Sequence, residues 1–180
     1  MTRRIAVLSE RDIPRAYQDT PVGRLLSYHN LGAELETCTS AQILVGMCMD
    51  NRKSLRIPDN FAFIIRAGGG NLRYSEFKVS YAIAVGGVRH IALIGHTNCG
   101  MVNLIGRREQ FIRGLVENAG WDQSLAEQHF MHFAPMFEIG SEEDFVLSEA
   151  KRLRLRYPKV QVAPLMYDIE DSRLYLLNED

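Results

Sequence analysis

The sequence has little of what would direct a chain to a membrane, a nucleic acid or an oxidising compartment. Its 180 residues include three cysteines and one tryptophan, and the formal net charge is −1. Such a charge provides no basic surface for nucleic acid, and no apolar run approaches the roughly 20 residues that cross a bilayer. An odd number of cysteines without framework spacing argues against a secreted disulfide scaffold. We therefore expect a cytoplasmic protein without nucleic-acid or membrane partners.

The chain also lacks internal repeats, low-complexity tracts and evident linkers. The apolar stretch at residues 5–8 is too short for a signal peptide. At this length, one domain over residues 1–180 is the simplest organisation, and it is large enough to bury a core. Within it, residues 1–42 are predicted to form an N-terminal arm with a helix that begins at Pro21, a favoured residue in a first helical turn.

Apolar runs of strand length alternate with a helical pattern in the middle of the chain. Residues 43–48, 61–66 and 90–95 are continuous apolar runs, as expected of parallel strands covered on both faces. A helix over residues 75–84, capped by its serine, lies between the last two runs. This order predicts an α/β fold with a mainly parallel β-sheet flanked by helices.

The last part of the chain yields fewer predictions. Residues 117–140 contain scattered apolar side chains with no clean period, so they receive no assignment. The other predicted elements are a helix over residues 101–116, a capped helix that begins at Ser141 and is stopped by Pro158, and two strands, 160–169 and 173–177.

Three residues with the chemistry of metal ligands stand at the ends of predicted strands. Cys48 closes the first apolar run, and His96 and Cys99 follow the third run in Gly95-His96-Thr97-Asn98-Cys99-Gly100. The carboxyl ends of parallel strands meet at one edge of a sheet, so these distant residues can converge. Two thiolates and one imidazole suit a tetrahedral Zn²⁺ whose fourth position is open, as in catalytic zinc sites. Taken singly, each cysteine is also compatible with a small buried hydrophobe.

A carboxylate and a guanidinium follow the first of these residues in Cys48-Met49-Asp50-Asn51-Arg52. A catalytic metal site gains from a nearby carboxylate acceptor, and Arg52 can hold Asp50 ionised and oriented through a charge-assisted pair. The alternative is a surface ion pair that contributes little. The three glycines at 68–70 would permit close approach of the backbone to a substrate, or they form a flexible surface turn.

Together these motifs resemble the β-class carbonic anhydrases, and the likeness extends from about residue 43 onward. The resemblance implies a β-carbonic-anhydrase-like fold, a Zn²⁺ cofactor, and reversible hydration of CO₂ to bicarbonate and a proton by zinc-bound hydroxide. It implies zinc ligands Cys48, His96 and Cys99, catalytic roles for Asp50 and Arg52, and Asp50 as a conditional fourth ligand at lower pH. On their backbone freedom, Gly68, Gly69 and Gly70 are the candidate substrate-binding residues.

One departure from the family pattern concerns the substrate pocket. The usual Arg-Asn-Ala-Gly is replaced by Arg66-Ala67-Gly68, and the asparagine comes only at Asn71. A hydrolase for carbon disulfide or carbonyl sulfide on the same zinc site is therefore an alternative function. A catalytically silent zinc-binding scaffold is a second alternative, which the intact Asp50 and Arg52 argue against.

Two further expectations concern assembly and proton transfer. The family consists of dimers or multiples of dimers, and the apolar residues of the 1–42 arm have no obvious partner in a compact domain. We expect this arm to pack across a two-fold interface near the active site. His129 and His132 lack a third firm ligand for a second metal, and histidine titrates in the range that a proton shuttle requires.

Overall fold

A single six-stranded sheet forms the centre of the computed structural model, which describes residues 4–179. The sheet has the order β1-β6-β5-β4-β2-β3. The four strands from β5 to β3 are parallel to one another, whereas β6 and β1 are antiparallel to their neighbours. The α/β prediction is therefore confirmed. The strands are β1 (Arg4–Ala6), β2 (Ile43–Met47), β3 (Ala62–Arg66), β4 (His90–His96), β5 (Gln161–Tyr167) and β6 (Leu174–Leu177).

Polar side chains cap three of the five helices at their first turns. Thr20, Asp122 and Ser141 each accept a hydrogen bond from a backbone N–H three residues further along the chain. These bonds satisfy amides that have no partner inside the helix. None of the helices in residues 4–179 is long and apolar enough to cross a bilayer. The helices are α1 (Pro21–Leu26), α2 (Glu76–Ala84), α3 (Arg108–Ala119), α4 (Gln123–Phe137) and α5 (Glu142–Arg156).

The sheet is covered on both faces, with one apolar core on each side. Val45 of β2 points into the core that α1 closes, whereas Leu44 points into the core that α2 and α5 close. Alternate residues of a strand face opposite sides, so a central parallel strand covered twice must be apolar throughout. All five residues of β2 are buried, as its continuous apolar run predicts.

Three sequence predictions need correction, and one unassigned segment contains a helix. The predicted cap of α2 is absent, because the side chain of Ser75 makes no capping hydrogen bond. The strand at β3 is present, but it lies at the edge of the sheet and is not covered on both faces, since Ile64 is 50% exposed. The helix predicted over residues 101–116 starts later, because a turn and a 3₁₀ segment at Leu104–Arg107 precede α3. The unassigned residues 117–140 contain α4, the longest helix together with α5 in the described part of the chain.

The N-terminal arm packs against its own chain. Its strand β1 is antiparallel to β6, and the side chains of Val22, Leu25 and Leu26 are fully buried under the sheet. The premise that these apolar residues lack a partner within one chain is therefore wrong. The interface assigned to the arm stays a prediction, and residues 1–3 of the arm lie outside the described residues.

Candidate active site

Two neighbouring parallel strands bring the predicted metal ligands together. Cys48 directly follows β2, and His96 is the last residue of β4, which pairs with β2. Cys99 returns to the same place three residues later. The two sulfur atoms are 4.0 Å apart, and the potential ligand atoms of the three side chains all lie within 4.8 Å of one another. All three side chains are buried.

A tight turn after β4 brings Cys99 to this position. Asn98 has a φ of 55°, a left-handed conformation that asparagine tolerates better than most residues. The turn is tied to the end of β5, because the Thr97 N–H donates to the Tyr167 carbonyl and the Thr97 hydroxyl accepts from the Ile169 N–H. The positions of His96 and Cys99 are therefore fixed by the sheet.

The tautomer of His96 is set by its neighbour. Its Nδ1 lies 2.9 Å from the Thr97 carbonyl oxygen, which can only accept a hydrogen bond. Nδ1 therefore carries the proton, and Nε2 presents a lone pair toward the two sulfurs. Nε2 is buried and has no hydrogen-bond partner within residues 4–179. Buried polar atoms rarely remain without a partner, and a metal ion would supply one here.

The two thiols suit the same ion. The hydrogen bond with the Cys99 thiol lowers the pKa of Cys48, although burial opposes this shift. The same contact and burial raise the pKa of Cys99 well above its ordinary value. One sulfur of the pair thus ionises easily and the other retains its proton. A dication between them would remove that second proton, because a coordinating thiol is deprotonated.

Several groups contact the ligands in ways that the sequence did not indicate. The Gly69 N–H donates to the Cys48 sulfur at 3.2 Å, and the Cys99 N–H donates to Glu142 Oε1 at 3.1 Å. The ammonium group of Lys53 donates to the Cys48 carbonyl at 2.8 Å, and burial lowers the pKa of this lysine to about 8. Glu142 gave only the signal of an acidic residue in a first helical turn. Nothing in the sequence pointed to Lys53 except its position directly after Arg52.

Asp50 and Arg52 form a two-pronged ion pair at the edge of this cluster. Arg52 Nε lies 2.9 Å from Asp50 Oδ1, and Arg52 Nη2 lies 2.6 Å from Asp50 Oδ2. These bonds hold the pKa of Asp50 well below its usual range. Arg52 also donates to the Asn98 carbonyl at 2.8 Å, which connects the pair to the ligand turn. Asp50 Oδ2 is 3.8 Å from His96 Nε2, so a carboxylate oxygen stands beside the free lone pair.

An apolar cavity of about 420 Å³ adjoins the cluster. It reaches the site at Met49 and Gly68, the chain neighbours of Cys48 and Gly69. A Cβ at Gly68 would lie 2.9 Å from the Met101 sulfur, so this position must remain small to keep the wall as it is. The lining residues are Met49, Gly68, Met101, Leu104, Phe111, His129, Phe130, Phe133, Ala134 and Phe137.

The remaining candidate residues occupy different surroundings. His129 lies in the cavity wall among the rings of Phe111, Trp121 and Phe133, and His132 stands edge-on to Phe133. Neither belongs to a group of metal-ligating side chains in the described chain. Asn71, the displaced asparagine of the glycine segment, is buried and donates to the Met136 carbonyl at the end of α4.

Sequence comparison identifies the class of protein that this fold and site define. The carbonic anhydrase family matches the chain over residues 60–174, which is more than half of its length. The chain therefore belongs to the carbonic anhydrase family. The matched range contains His96 and Cys99, whereas Cys48, Asp50 and Arg52 precede it. A search of curated proteins gives no match.

Solved structures with the same fold are distant in sequence. The β-carbonic anhydrase isoform I of Trichomonas vaginalis superposes with a TM-score of 0.64 at 15% identity, covering 93% of this chain and 100% of that one. A carbonic anhydrase of Glaciozyma antarctica gives 0.60 at 18% identity, with coverages of 96% and 100%. A carbon disulfide hydrolase gives 0.55 at 20% identity, covering 93% of both chains. The β-class resemblance is confirmed, and at these identities the structural likeness establishes the fold.

Proposed function

We propose that this protein is a zinc-dependent carbonic anhydrase, which interconverts CO₂ with bicarbonate and a proton. The observation that carries this proposal is the lone pair of His96 Nε2, buried without a partner beside two cysteine sulfurs and the Asp50 carboxylate. Zn²⁺ bound by Cys48, His96 and Cys99 would supply Lewis-acid activation of water for attack on the carbon atom.

Asp50 and Arg52 orient the reacting water in this proposal. Asp50 remains ionised because Arg52 donates to both of its oxygens, so Oδ2 can only accept a hydrogen bond. An acceptor fixed beside His96 Nε2 directs the proton of the nucleophile and leaves an oxygen lone pair free for the substrate. The proposed second role of Asp50, as a conditional zinc ligand, would require it to exchange Arg52 for the metal.

The cavity favours an uncharged substrate over a charged one. Its walls supply methyl, thioether and aromatic groups, which solvate CO₂ but not bicarbonate. Gly68 contributes to this wall, and we propose that Gly68, Gly69 and Gly70 bound the substrate position. The hydrogen bond from the Gly69 N–H to the Cys48 sulfur supports a second role for this turn, which is to hold a proposed metal ligand in place.

The cavity also supports a second candidate, hydrolysis of carbon disulfide or carbonyl sulfide. Its volume is in the range of pockets that hold much larger ligands, and a triatomic substrate fills little of it. The larger and softer sulfur atoms of these substrates suit such a wall. A silent zinc-binding scaffold is the least favoured function, because a scaffold has no use for the paired Asp50 and Arg52.

A stopped-flow assay of the zinc-loaded protein tests the proposal, with CO₂, carbon disulfide and carbonyl sulfide measured side by side. We expect one zinc per chain, CO₂ as the preferred substrate, and loss of both zinc and activity in Cys48→Ser and Cys99→Ser. Cys38→Ser is the matched control, because Cys38 is also buried and lies outside the cluster. Full zinc occupancy in both ligand variants would refute the metal site, and a preference for a sulfur substrate would select the second candidate.

We also propose a homodimer, or a multiple of dimers, in a reducing compartment such as the cytoplasm. Zinc thiolates must remain reduced to bind the metal, which such a compartment ensures. A row of exposed apolar side chains on α2 and just beyond its end, namely Phe77, Tyr81 and Val85, supports a contact with a second copy. The N-terminal arm remains the other part of the chain that we expect at the interface.

A further inference from the structure

The loop that carries Asp50 and Arg52 is held by a few polar contacts and by Leu55, Ile57 and Phe61, which pack into the core that α1 closes. This loop, residues 48–61, connects β2 to β3 and contains no helix or strand in the described chain. After Arg52, Lys53 donates to the Cys48 carbonyl and the Ser54 N–H donates to the Tyr167 hydroxyl at 3.2 Å. The last of these contacts is between the Arg56 N–H and His29 Nδ1, at 3.0 Å.

His29 uses both of its ring nitrogens in contacts with the backbone. It is buried in a π-helical turn, Ser27–Leu31, which continues α1. Nδ1 faces the Arg56 N–H and must accept, whereas Nε2 lies 3.0 Å from the Ser172 carbonyl and must donate. The surroundings therefore select one neutral tautomer, protonated on Nε2. Single-turn π segments occur frequently at functional sites.

This one imidazole links three distant parts of the chain. It belongs to the N-terminal arm, donates to the turn between β5 and β6 at Ser172, and accepts from the loop at Arg56. Its ring also packs 5.8 Å from the ring of Tyr167, whose hydroxyl holds Ser54. The side chain of Arg56 is held in turn, with its guanidinium 5.2 Å from the ring centre of Tyr28.

We propose that His29 is a positioning residue for the reaction, which fixes the loop behind Asp50 and Arg52 through its bond with the Arg56 N–H. The two contacts of His29 differ in what they hold. The Nε2 contact joins the arm to the β5–β6 turn and leaves the loop untouched, whereas the Nδ1 contact alone reaches the loop. This inference rests on the proposed function, since the catalytic role of Asp50 and Arg52 is part of that proposal.

Two substitutions separate the contacts. The amide oxygen of His29→Asn can take the place of Nδ1 and accept from Arg56, whereas the longer His29→Gln can place its NH₂ near Nε2 and donate to Ser172. Both variants lose one hydrogen bond and part of the buried ring, so both should lower the melting temperature. Val88→Ala is the control for general destabilisation, because Val88 is buried in the core on the other face of the sheet, and no residue of the loop 48–61 belongs to that core in the described chain.

The measurements are kcat, KM, zinc content and hydrogen exchange at the Arg56 amide, all on the zinc-loaded full chain. We expect His29→Gln to lower kcat on the order of tenfold, with little change in KM or zinc content, and to speed Arg56 exchange to a similar extent. In His29→Asn most of the wild-type kcat and of the slow Arg56 exchange should remain, and Val88→Ala should change neither.

Three results would overturn the inference: equal kcat in His29→Gln and wild type, an equal loss of kcat in both His29 variants, or unchanged Arg56 exchange in His29→Gln. If the wild type does not hydrate CO₂, the proposed function fails. Arg56 exchange in the same variants then still decides whether His29 holds the loop. Should a variant not fold, the nitrogen shifts of the His29 ring in the wild type test the Nε2-protonated tautomer directly, and a doubly protonated ring at pH 7.5 would contradict it.

Discussion

The proton on the His96 ring determines what the active site can hold. Because the Thr97 carbonyl fixes that proton on Nδ1, the free lone pair of Nε2 faces the sulfurs of Cys48 and Cys99. Asp50 approaches the same lone pair as an acceptor, and two acceptors cannot bond to each other without a cation or a proton between them. The local arrangement thus requires a positively charged or proton-donating occupant, which a metal ion with a bound water provides.

Asp50→Asn tests the charge of this acceptor while it keeps the shape of the side chain. An amide forms a weaker pair with Arg52 and cannot accept at both positions, so the nucleophile loses its orienting partner. We expect kcat for CO₂ hydration to fall by about 10²-fold or more, with zinc content unchanged. Stopped-flow rates and metal analysis provide the measurement.

The control for this change is Glu76→Gln. It removes a carboxylate at the start of α2 that pairs with Arg156 at the end of α5, at a distance of 2.9 Å. It should leave kcat at the wild-type value. If Asp50→Asn were as active as this control, the carboxylate would have no part in the reaction.

The buried ring of His29 makes stability depend on pH in a defined direction. Burial lowers the pKa of His29 below its ordinary value of 6.5, and the charge of Arg56 adds to this effect, although the Ser172 carbonyl opposes it. A depressed pKa in the folded state means that the unfolded chain takes up the proton first as the pH falls. The contribution of His29 is therefore complete above about pH 6.5 and is lost as the pH falls through the folded-state pKa.

We expect the urea midpoint of the wild type to decrease between pH 7.5 and pH 5.5 by more than that of His29→Asn. Burial also lowers the pKa of His90, but that residue is the same in both proteins, so the comparison isolates His29. Parallel midpoints over this range would show that the ring at position 29 is not held neutral.

Among the helices and strands, those with a two-sided or one-sided apolar pattern could be predicted from the sequence. The continuous apolar run at β2 predicts a strand buried on both faces, and all of its residues are buried. The capping serine of α5 and the apolar residues on one side of that helix predict a helix with one buried face, as the structure shows. The helix α4 was missed although Phe130, Phe133 and Phe137 share one side and line the cavity, because Leu125 and Met131 are apolar as well and lie exposed on other sides of the helix. Its apolar residues therefore occupy more than one stripe, and Pro135 weakens the helical signal further.

The convergence of Cys48, His96 and Cys99 could be predicted for the same kind of reason, since a strand end in a parallel sheet has a known position. The contacts of Glu142, Lys53 and His29 could not, because each depends on the path of a loop or a helix start that no local pattern fixes. The glycine turn was recognised only as a place of close approach. The structure adds that the Gly69 N–H donates to the sulfur of Cys48, one of the three clustered side chains.

Gly69→Ala tests this turn. Gly69 has a φ of 64°, and a Cβ there would lie 3.1 Å and 3.2 Å from two side-chain atoms of Ile139. The strain should displace the N–H that bonds to Cys48, so we expect zinc affinity to fall by about 10- to 100-fold, in line with other residues that support metal ligands. Competition with a zinc chelator gives the affinity.

Gly87→Ala is matched to this change, because Gly87 has a φ of 73° and open space around the added Cβ. It should cost about 1–2 kcal/mol of folding free energy and leave zinc affinity as in the wild type. Equal zinc affinities in the two variants would mean that the bond from Gly69 to Cys48 is of no consequence for the metal.

The whole molecule buries its two cores well but leaves one helix with an apolar outer surface. Phe77, Tyr81 and Val85 follow one another at four-residue intervals on α2 and just beyond its end, so they share one side. Phe77 is 82% exposed. Contiguous apolar residues of this size on a monomer mark an interaction site, whereas single exposed ones do not. The adjoining edge strand β3 has no partner on its outer side in the described sheet, which allows this side of the molecule to be covered by a second copy.

Sedimentation at micromolar protein concentration tests the dimer that follows from this surface. We expect the wild type to sediment as a dimer or a multiple of one. The double variant Phe77→Asp with Tyr81→Asp should sediment as a monomer, because burying two carboxylates in the contact carries a large desolvation cost. Leu125→Asp is the matched control: Leu125 is 54% exposed on α4, which shares no hydrogen bond or ion pair with α2 in the described chain, and its replacement should leave the dimer intact. A wild-type monomer with full activity would exclude the interface altogether. A dimer that survives the double variant would move the contact elsewhere, with the N-terminal arm as the next surface to change.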